Sequence, residues 1–331
     1  MPKEFNVIIV GGGIAGLSAG ATSARLGRKT AIVTGDSPGS QLMSIEKVEG
    51  LPAHPDGIAG YDLCPIMQDQ AGAAGAEFIM SAAERLEPLA AKWRVASAEG
   101  DLVAAAVVLA TGSEFSKLQV PGEERLTGHG VSHCATCDAP LLRDRIVAVV
   151  GGGDSAMQEA LTLAEFASKI ILLHRGGALQ GQLCYRERVT AHPKIEVRSN
   201  TVVTEILGET VVTGVRTRDL GGGALADVET AAVFAYVGLQ PNTAFLHTLL
   251  DLNPAGRIAT DGLTRTALPG LCAAGTIRAD SPCRAASAAG DGAAAAVAVD
   301  RFLSNGAWPP AALDGKGEAS PALSARCGDG R

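Results

Sequence analysis

A chain of 331 residues, 47% hydrophobic and 19% charged, is long enough to bury two substantial cores. Its net charge of −7 and the lack of a dense Lys/Arg run argue against a nucleic acid as partner. Seven scattered cysteines make no secreted disulfide framework, and no segment reads as a leader peptide or a membrane span, so a cytoplasmic protein without membrane attachment is expected.

In chain order, the apolar run Val7 to Val10 reads as a buried parallel strand that turns into Gly11-Gly12-Gly13-Ile14-Ala15-Gly16. The Gly-x-Gly-x-x-Gly spacing permits a tight turn and close approach of a pyrophosphate to the N-terminus of the helix that follows, with Gly11, Gly13, Ala15 and Gly16 as the candidate contacts. That helix extends to about Leu26, and a second strand from Thr30 to Val33 completes a βαβ unit. After it, Asp36 stands where dinucleotide sites often place an acid for the ribose, and is either that contact or a turn residue. The loops at Pro38 to Leu42 and Val48 to Pro52 offer Gln41 as a further contact. Helical spacing of Leu63, Ile66, Met67 and Ala71 predicts a helix within Ala59 to Gly75, in which Cys64 is a packing residue.

Strands are expected at Glu77 to Met80, Trp93 to Ser97 and Val103 to Leu109, the last running into a second cofactor-side turn at Thr111 and Gly112. Phe115 to Gly130, with Pro121-Gly122 and several charges, reads as a linker at a domain boundary. Next comes Cys134-Ala135-Thr136-Cys137-Asp138. Two cysteines at this spacing close a small, readily exchanged disulfide, and at the start of a helix the free backbone N–H groups favour the thiolate. Asp138 adds an acid or base. The alternatives are half of a zinc site or two buried thiols, but Cys184, Cys272, Cys283 and Cys327 stand singly, so no metal site is expected.

Beyond the cysteines the opening recurs: strand Ile146 to Val150, then Gly151-Gly152-Gly153-Asp154-Ser155-Ala156, a helix to about Ala167 and a strand from Ile170 to Leu173. From first glycine to the residue closing the second strand is 23 positions in both copies, Gly11 to Thr34 and Gly151 to His174. The repeat predicts two dinucleotide sites, the second contacted through Gly151, Gly153, Asp154, Ser155, His174 and Arg175. A β-rich stretch from Ile195 to Arg218 and a strand at Ala232 to Val237 follow, before Gly238 to Thr243 returns the chain to the first domain. Leu271 to Thr276 reads as another strand and cofactor-side turn, and Ala288 to Gly292 opens a last helix to about Leu303. Ser304 to Arg331 lacks apolar periodicity and reads as a mobile tail in which Cys327 is an ordinary thiol or an electron shuttle.

Between residues 5 and 303 these motifs, in this order, resemble the low-molecular-weight thioredoxin reductases. The resemblance implies an α/β fold of two interleaved Rossmann-like dinucleotide-binding domains, the second inserted in the first. FAD would lie on residues 1–117 and 245–303, with Gly275, Thr276 and Arg284 among its contacts. A pyridine nucleotide, NADPH or NADH, would lie on residues 118–244, and 304–331 would form the tail. The resemblance further implies that Cys137 faces the flavin, Cys134 attacks the partner disulfide and Asp138 handles the proton. Electrons would pass to a thioredoxin-like protein or a small disulfide, and the chain would form a homodimer whose inserted domain rotates about Gly112-Ser113 and Gly238 to Pro241.

Three positions depart from the pattern of similar proteins. Only Arg175 remains of the arginines expected around a 2′-phosphate, Thr276 replaces an acid, and Cys283-Arg284 replaces an Arg-Gln pair. They leave open a dithiol oxidase that passes electrons to oxygen, and a flavin-bound sensor or scaffold without turnover.

Overall fold

The computed structural model describes residues 2–35, 41–246 and 248–308; Asp36 and Cys327 lie outside them. Val7, Ile8 and Ile9 are fully buried because β1 (Lys3–Val10) runs at the centre of a parallel sheet covered on both faces. Helix α1 (Ile14–Arg25) carries the chain to β2 (Thr30–Val33), which pairs in parallel with β1, Val7 opposite Thr30. After α2 (Gly60–Ala73) and β3 (Glu77–Ile79), the antiparallel hairpin of β4 (Ala83–Pro88) and β5 (Trp93–Ser97) leads into β6 (Leu102–Leu109). The strand order is β3-β2-β1-β6-β5-β4.

The chain leaves this sheet through β7 (Ser113–Phe115), the short helix α3 (Glu123–Leu126) and β8 (Val131–Ser132), and reaches the cysteine helix α4 (Ala135–Asp138). The second βαβ unit follows as β9 (Ile146–Val150), α5 (Asp154–Ala164) and β10 (Lys169–Leu173), then α6 (Leu183–Ala191) and β11 (Ile195–Arg198). An antiparallel layer of β12 (Thr201–Leu207), β13 (Gly214–Asp219) and β14 (Leu225–Glu229) precedes β15 (Ala232–Ala235), which completes the parallel order β11-β10-β9-β15-β8. The return strand β16 (Leu239–Pro241) pairs antiparallel with β7, so the outward and inward crossings form one two-stranded ribbon. Finally β17 (Leu271–Ala273) takes the half of the β6 edge that β5 leaves free, and α7 (Ala285–Asn305) lies against α1. A Cβ at Gly292 would sit 2.0 Å from the Ala15 carbonyl oxygen, so these two helices touch backbone to backbone. The result is two interleaved Rossmann-like units, the second inserted in the first.

Several predicted elements change. The stretch Phe115 to Gly130 is not a plain linker: the buried Glu123 carboxylate accepts the Leu118 and Gln119 amides at 2.7 Å each and folds it over α3. Ile66 is exposed while Leu63 and Ala71 are buried, which narrows the inward face of α2. Helix α7 starts at Ala285, three residues before the predicted opening, and continues to Asn305. Past it, Trp308 donates from Nε1 to the Thr266 carbonyl at 3.0 Å and meets Phe302 edge-on, so Ser304 and Asn305 end the helix and Trp308 packs back against the first unit.

Candidate active site

Both glycine loops are built alike. Gly11 has φ of +120° and Gly151 of +145°, and a Cβ at either would lie within 2.1 or 2.3 Å of a backbone oxygen, that of Ala110 or of Tyr236. Those residues follow the neighbouring strand in each sheet, β6 and β15. The residue 23 positions on packs over the middle glycine in each copy: Thr34 over Gly12, and His174 over Gly152. Gly13 and Gly153 are the N-caps of α1 and α5, and neither cap receives a side-chain hydrogen bond. The free N–H groups of each first turn are therefore available to an anion.

A cavity of about 400 Å³ opens over Gly11, Thr34, Thr111 and Asn242. Thr111 and Asn242 bind each other across the crossing ribbon: Thr111 Oγ1 donates to the Asn242 carbonyl at 2.8 Å and Asn242 Nδ2 to the Thr111 carbonyl at 3.1 Å. Gly112, at φ +71°, accepts the Asn242 amide at 3.0 Å. A larger cavity of about 760 Å³ lies over Gly151 to Ala156, with His174 and Arg175 at one side and Cys283 and Arg284 of the first domain at the other.

Cys134 and Cys137 form a disulfide, with Cα atoms 5.3 Å apart. Cys134 is the N-cap of α4, and its Sγ accepts the Cys137 amide at 3.2 Å. The same Sγ lies 3.8 Å from the Ser44 carbonyl oxygen, at the end of the 3-10 turn Gln41–Ser44. Gln41 itself is exposed at the start of that turn. Cys137 is the exposed member of the pair, and Asp138 closes the helix half-buried. His133, just before the pair, is fixed by an Nδ1 bond to the Ala235 carbonyl at 2.9 Å and stacks on Phe115. Burial pushes the Cys272 thiol up to about 12, which keeps it protonated and outside exchange chemistry.

Across 92% of this chain, and 98% of the other, 35% of residues are identical to the thioredoxin reductase of Treponema pallidum (strain Nichols). The fold superposes with a TM-score of 0.88 on the Lactococcus lactis thioredoxin reductase in its FR conformation, at 31% identity, covering 91% of this chain and 99% of that one. It superposes at 0.87 on the T. acidophilum thioredoxin reductase, at 30% identity over 90% and 98% of the two chains. The model of the family described as pyridine nucleotide-disulphide oxidoreductase matches residues 5–292. The chain belongs to that family. It is an FAD-dependent disulfide reductase that draws on a pyridine nucleotide.

The residues of this oxidoreductase fit both nucleotides. The first turn of α1 carries no acidic side chain, as a pyrophosphate of FAD requires. In α5 the first residue is Asp154, whose charge would oppose a second pyrophosphate. Its carboxylate is engaged instead: it accepts the Gln182 amide at 2.7 Å and pairs with Arg284. Arg284, expected among the FAD contacts, thus reaches across to the inserted domain. Ser155 and Arg175 are exposed at the larger cavity, whereas His174 is buried and donates from Nε2 to the Ala178 carbonyl at 2.7 Å. His174 therefore clips the loop after β10.

Beside the Thr111-Gly112 turn, Ser113 Oγ donates to Thr276 Oγ1 at 2.8 Å. Sequence reasoning missed the acid that organises this turn: Asp291, from α7, accepts the Gly275 amide at 3.1 Å and pairs with Arg278 at 2.5 Å. Its signal was present as the one acid in Gly290-Asp291-Gly292. Also missed was the docking set between domains, since its partners are far apart in sequence. Gln158 donates to the Lys47 carbonyl, and Arg188 pairs with Glu49 at 3.0 Å. Burial alone would raise the Glu49 carboxyl, but a hydrogen bond from Tyr185 and the Arg188 guanidinium outweigh it and hold it below the usual range.

Among the described residues no helix is long and apolar enough to cross a membrane, and no group of three or more His, Cys, Asp or Glu is arranged to hold a metal ion.

Proposed function

We propose that this reductase passes electrons from a pyridine nucleotide to a thioredoxin-like protein, with residues 1–117 and 245–303 holding FAD and residues 118–244 holding the nucleotide. The observation that carries the reading is the closed Cys134–Cys137 disulfide at the start of α4, in a chain whose two glycine loops each open on a cavity. FAD, when bound, would supply two-electron transfer between the nucleotide and the disulfide. The chain's own part is to hold the pyrophosphates at Gly11 to Gly16 and Gly151 to Ser155, and to present sulfur at the start of a helix where thiolate is favoured. Asp138 takes and returns the proton of the exchange.

In the docked arrangement Cys134 lies against Ser44 and Cys137 is open. Assigning Cys137 to the flavin and Cys134 to the partner therefore requires the inserted domain to turn on the β7–β16 ribbon, at Gly112-Ser113 and Gly238 to Pro241. Leu141, 80% exposed four residues past Cys137, gives a protein partner an apolar contact beside the disulfide. The relatives' shared name supports thioredoxin as that partner, and a cytoplasmic homodimer is the setting that accords with it.

The deciding experiment is anaerobic: NADPH, NADH and then a dithiol are added in turn while flavin absorbance is followed, and a thioredoxin is finally supplied as acceptor. Bleaching by a nucleotide and recovery with the thioredoxin is the expected result. Bleaching by the dithiol alone, with recovery on admitting oxygen, would make the protein a dithiol oxidase.

A further inference from the structure

Six side-chain oxygens among the described residues are buried without a hydrogen-bond partner, and three of them belong to the cysteine helix α4 and to the segments near it: Thr136 Oγ1 on α4, Glu159 Oε2 on α5 and the Tyr236 hydroxyl just after β15. Thr136 lies between the two cysteines. Glu159 is on α5, which packs directly under α4, and only 5% of it is exposed. Tyr236 follows β15, is 6% exposed, and has around its hydroxyl the Glu159 carboxyl, the Ala135 amide and Asp138. The surrounding side chains are apolar, among them Ala135, Ala139, Ala156, Met157 and Ala160. A carboxyl in such a place costs stability, and packing alone would be served as well by leucine or methionine.

We propose that Glu159, with Tyr236, is a positioning residue for the redox pair: a buried acid that is neutral while the cysteines exchange, and whose ionisation holds back the attacking thiolate. The inference rests on Cys134–Cys137 being the exchanged disulfide.

Opening that bond takes two electrons, delivered from the reduced pyridine nucleotide by way of the flavin, and breaks one S–S bond. Two protons complete two thiols; with one proton withheld, the product is a thiol and the thiolate that attacks the partner. No electron passes through Glu159. Its part is electrostatic, because a carboxylate under α4 disfavours a second negative charge on sulfur, and a thiolate there disfavours the carboxylate by the same amount. Desolvation, reinforced by the Glu46 carboxylate across the domain interface, raises the Glu159 acid to about 8. It is therefore mostly protonated at neutral pH.

The other charged groups near it are accounted for. On α5 itself Asp154 is paired with Arg284; on α6 Tyr185 and Arg188 are turned to Glu49; Lys47 lies 3.6 Å from Glu49; and Asp138 shares α4 with the cysteines. The strands beneath α5 present Val147, Val149, Ile170 and Leu172. Only burial and the Glu46 charge act on Glu159, and both favour the protonated form, so its own proton is what keeps it uncharged.

The test uses the FAD-loaded protein, reduced anaerobically with NADPH and alkylated with iodoacetamide from pH 6 to pH 10, each cysteine being read by mass. The wild type should show a second inflection near pH 8 in the alkylation rate at the more reactive cysteine. Glu159→Gln, which keeps the shape and cannot ionise, should lose that inflection and react up to about threefold faster at pH 9, as expected when a neighbouring charge that moves a thiol pKa near 8.5 by up to about one unit is removed. Tyr236→Phe should move the inflection and keep it. Superimposable profiles for wild type and Glu159→Gln would overturn the proposal and leave Glu159 a structural group. Should Glu159→Gln lose FAD, the wild type decides alone: its reduced-minus-oxidised infrared spectrum should contain a protonated-carboxyl band that responds to the dithiol, and a spectrum without one would equally overturn it. Failure of NADPH to release alkylatable Cys134 and Cys137 would instead count against the reductase reading.

Discussion

The loops Gly11 to Gly16 and Gly151 to Ala156 start from one backbone plan and diverge at their last three residues, Ile14-Ala15-Gly16 against Asp154-Ser155-Ala156. In the first, a Cβ at Gly16 would stand 1.9 Å from the Gly11 carbonyl oxygen, whereas the second holds Ala156 at the same place, its Cβ 2.9 Å from where a Cβ on Gly151 would be. The first helix opens without a carboxylate, while the second opens on Asp154, which is held by Arg284 of the other domain. A first turn with no side-chain charge to balance suits a cofactor that stays bound. A site whose charge balance depends on contact between two domains suits a nucleotide that comes and goes. With the nucleotide on the second loop, as proposed, the difference predicts that nucleotide binding and domain docking are coupled.

The largest effect expected from that comparison is at the shared turn. Gly16→Ala should abolish FAD retention, because its Cβ meets backbone that cannot move away cheaply, while the reciprocal Ala156→Gly should cost only about 1 kcal/mol of stability. Flavin-to-protein ratio and Tm measure both, and a Gly16→Ala protein that holds FAD normally would break the comparison. Next, Cys134→Ser and Cys137→Ser should each stop turnover with FAD still bound, since a serine alkoxide is not available for exchange near neutral pH. If Cys134 is the attacking sulfur, the Cys137→Ser protein should trap a mixed disulfide with thioredoxin and the Cys134→Ser protein should not; the opposite pattern, readable by mass, reverses the roles.

Arg284→Ala leaves the Asp154 carboxylate facing the second pyrophosphate. Nucleotide KM should rise about tenfold, the low end for a charge-assisted contact because Arg284 is half-exposed, with FAD content unchanged. Asp154→Asn in the same background should restore most of the loss, and the absence of rescue would separate docking from nucleotide charge. Arg175→Ala should do less: with Arg175 the one guanidinium in the loop after β10 at the cavity, preference for NADPH over NADH is expected to be modest and to vanish in the variant. A thousandfold preference for either nucleotide would mean that other residues form the 2′ end of the site.

The sequence disclosed what is local. The repeat, the strands β1, β9 and β17, and the Cys-x-x-Cys at a helix start were all legible, because glycine spacing and apolar runs are written within a few residues of one another. Helix α6 was not, since Leu183 to Ala191 interleaves Arg186, Glu187 and Arg188 and is anchored mainly by Tyr185 and Val189. Asp291 and Glu159 were hidden for another reason. Each looks like an ordinary helical acid until the fold sets one beside Gly275 and buries the other under α4.

The smallest expected effect concerns the docking contact at Glu49. Its carboxyl is held below the usual range only while Tyr185 and Arg188 of the inserted domain face it, so its pKa is lower docked than undocked. Stabilisation of the docked arrangement is therefore fully present above the undocked value of about 4.5 and is lost as pH falls through the docked one. A partly exposed pair of this kind contributes about 0.2–1 kcal/mol, so Glu49→Gln should shift the docking equilibrium no more than a few fold at pH 7. Fluorescence transfer between dyes placed on α2 and β14 reads that equilibrium. The wild type should approach the Glu49→Gln value as pH falls below about 4.5. Curves that stay parallel through that range would show that the two domains are held by Gln158 and Arg284 without help from this pair.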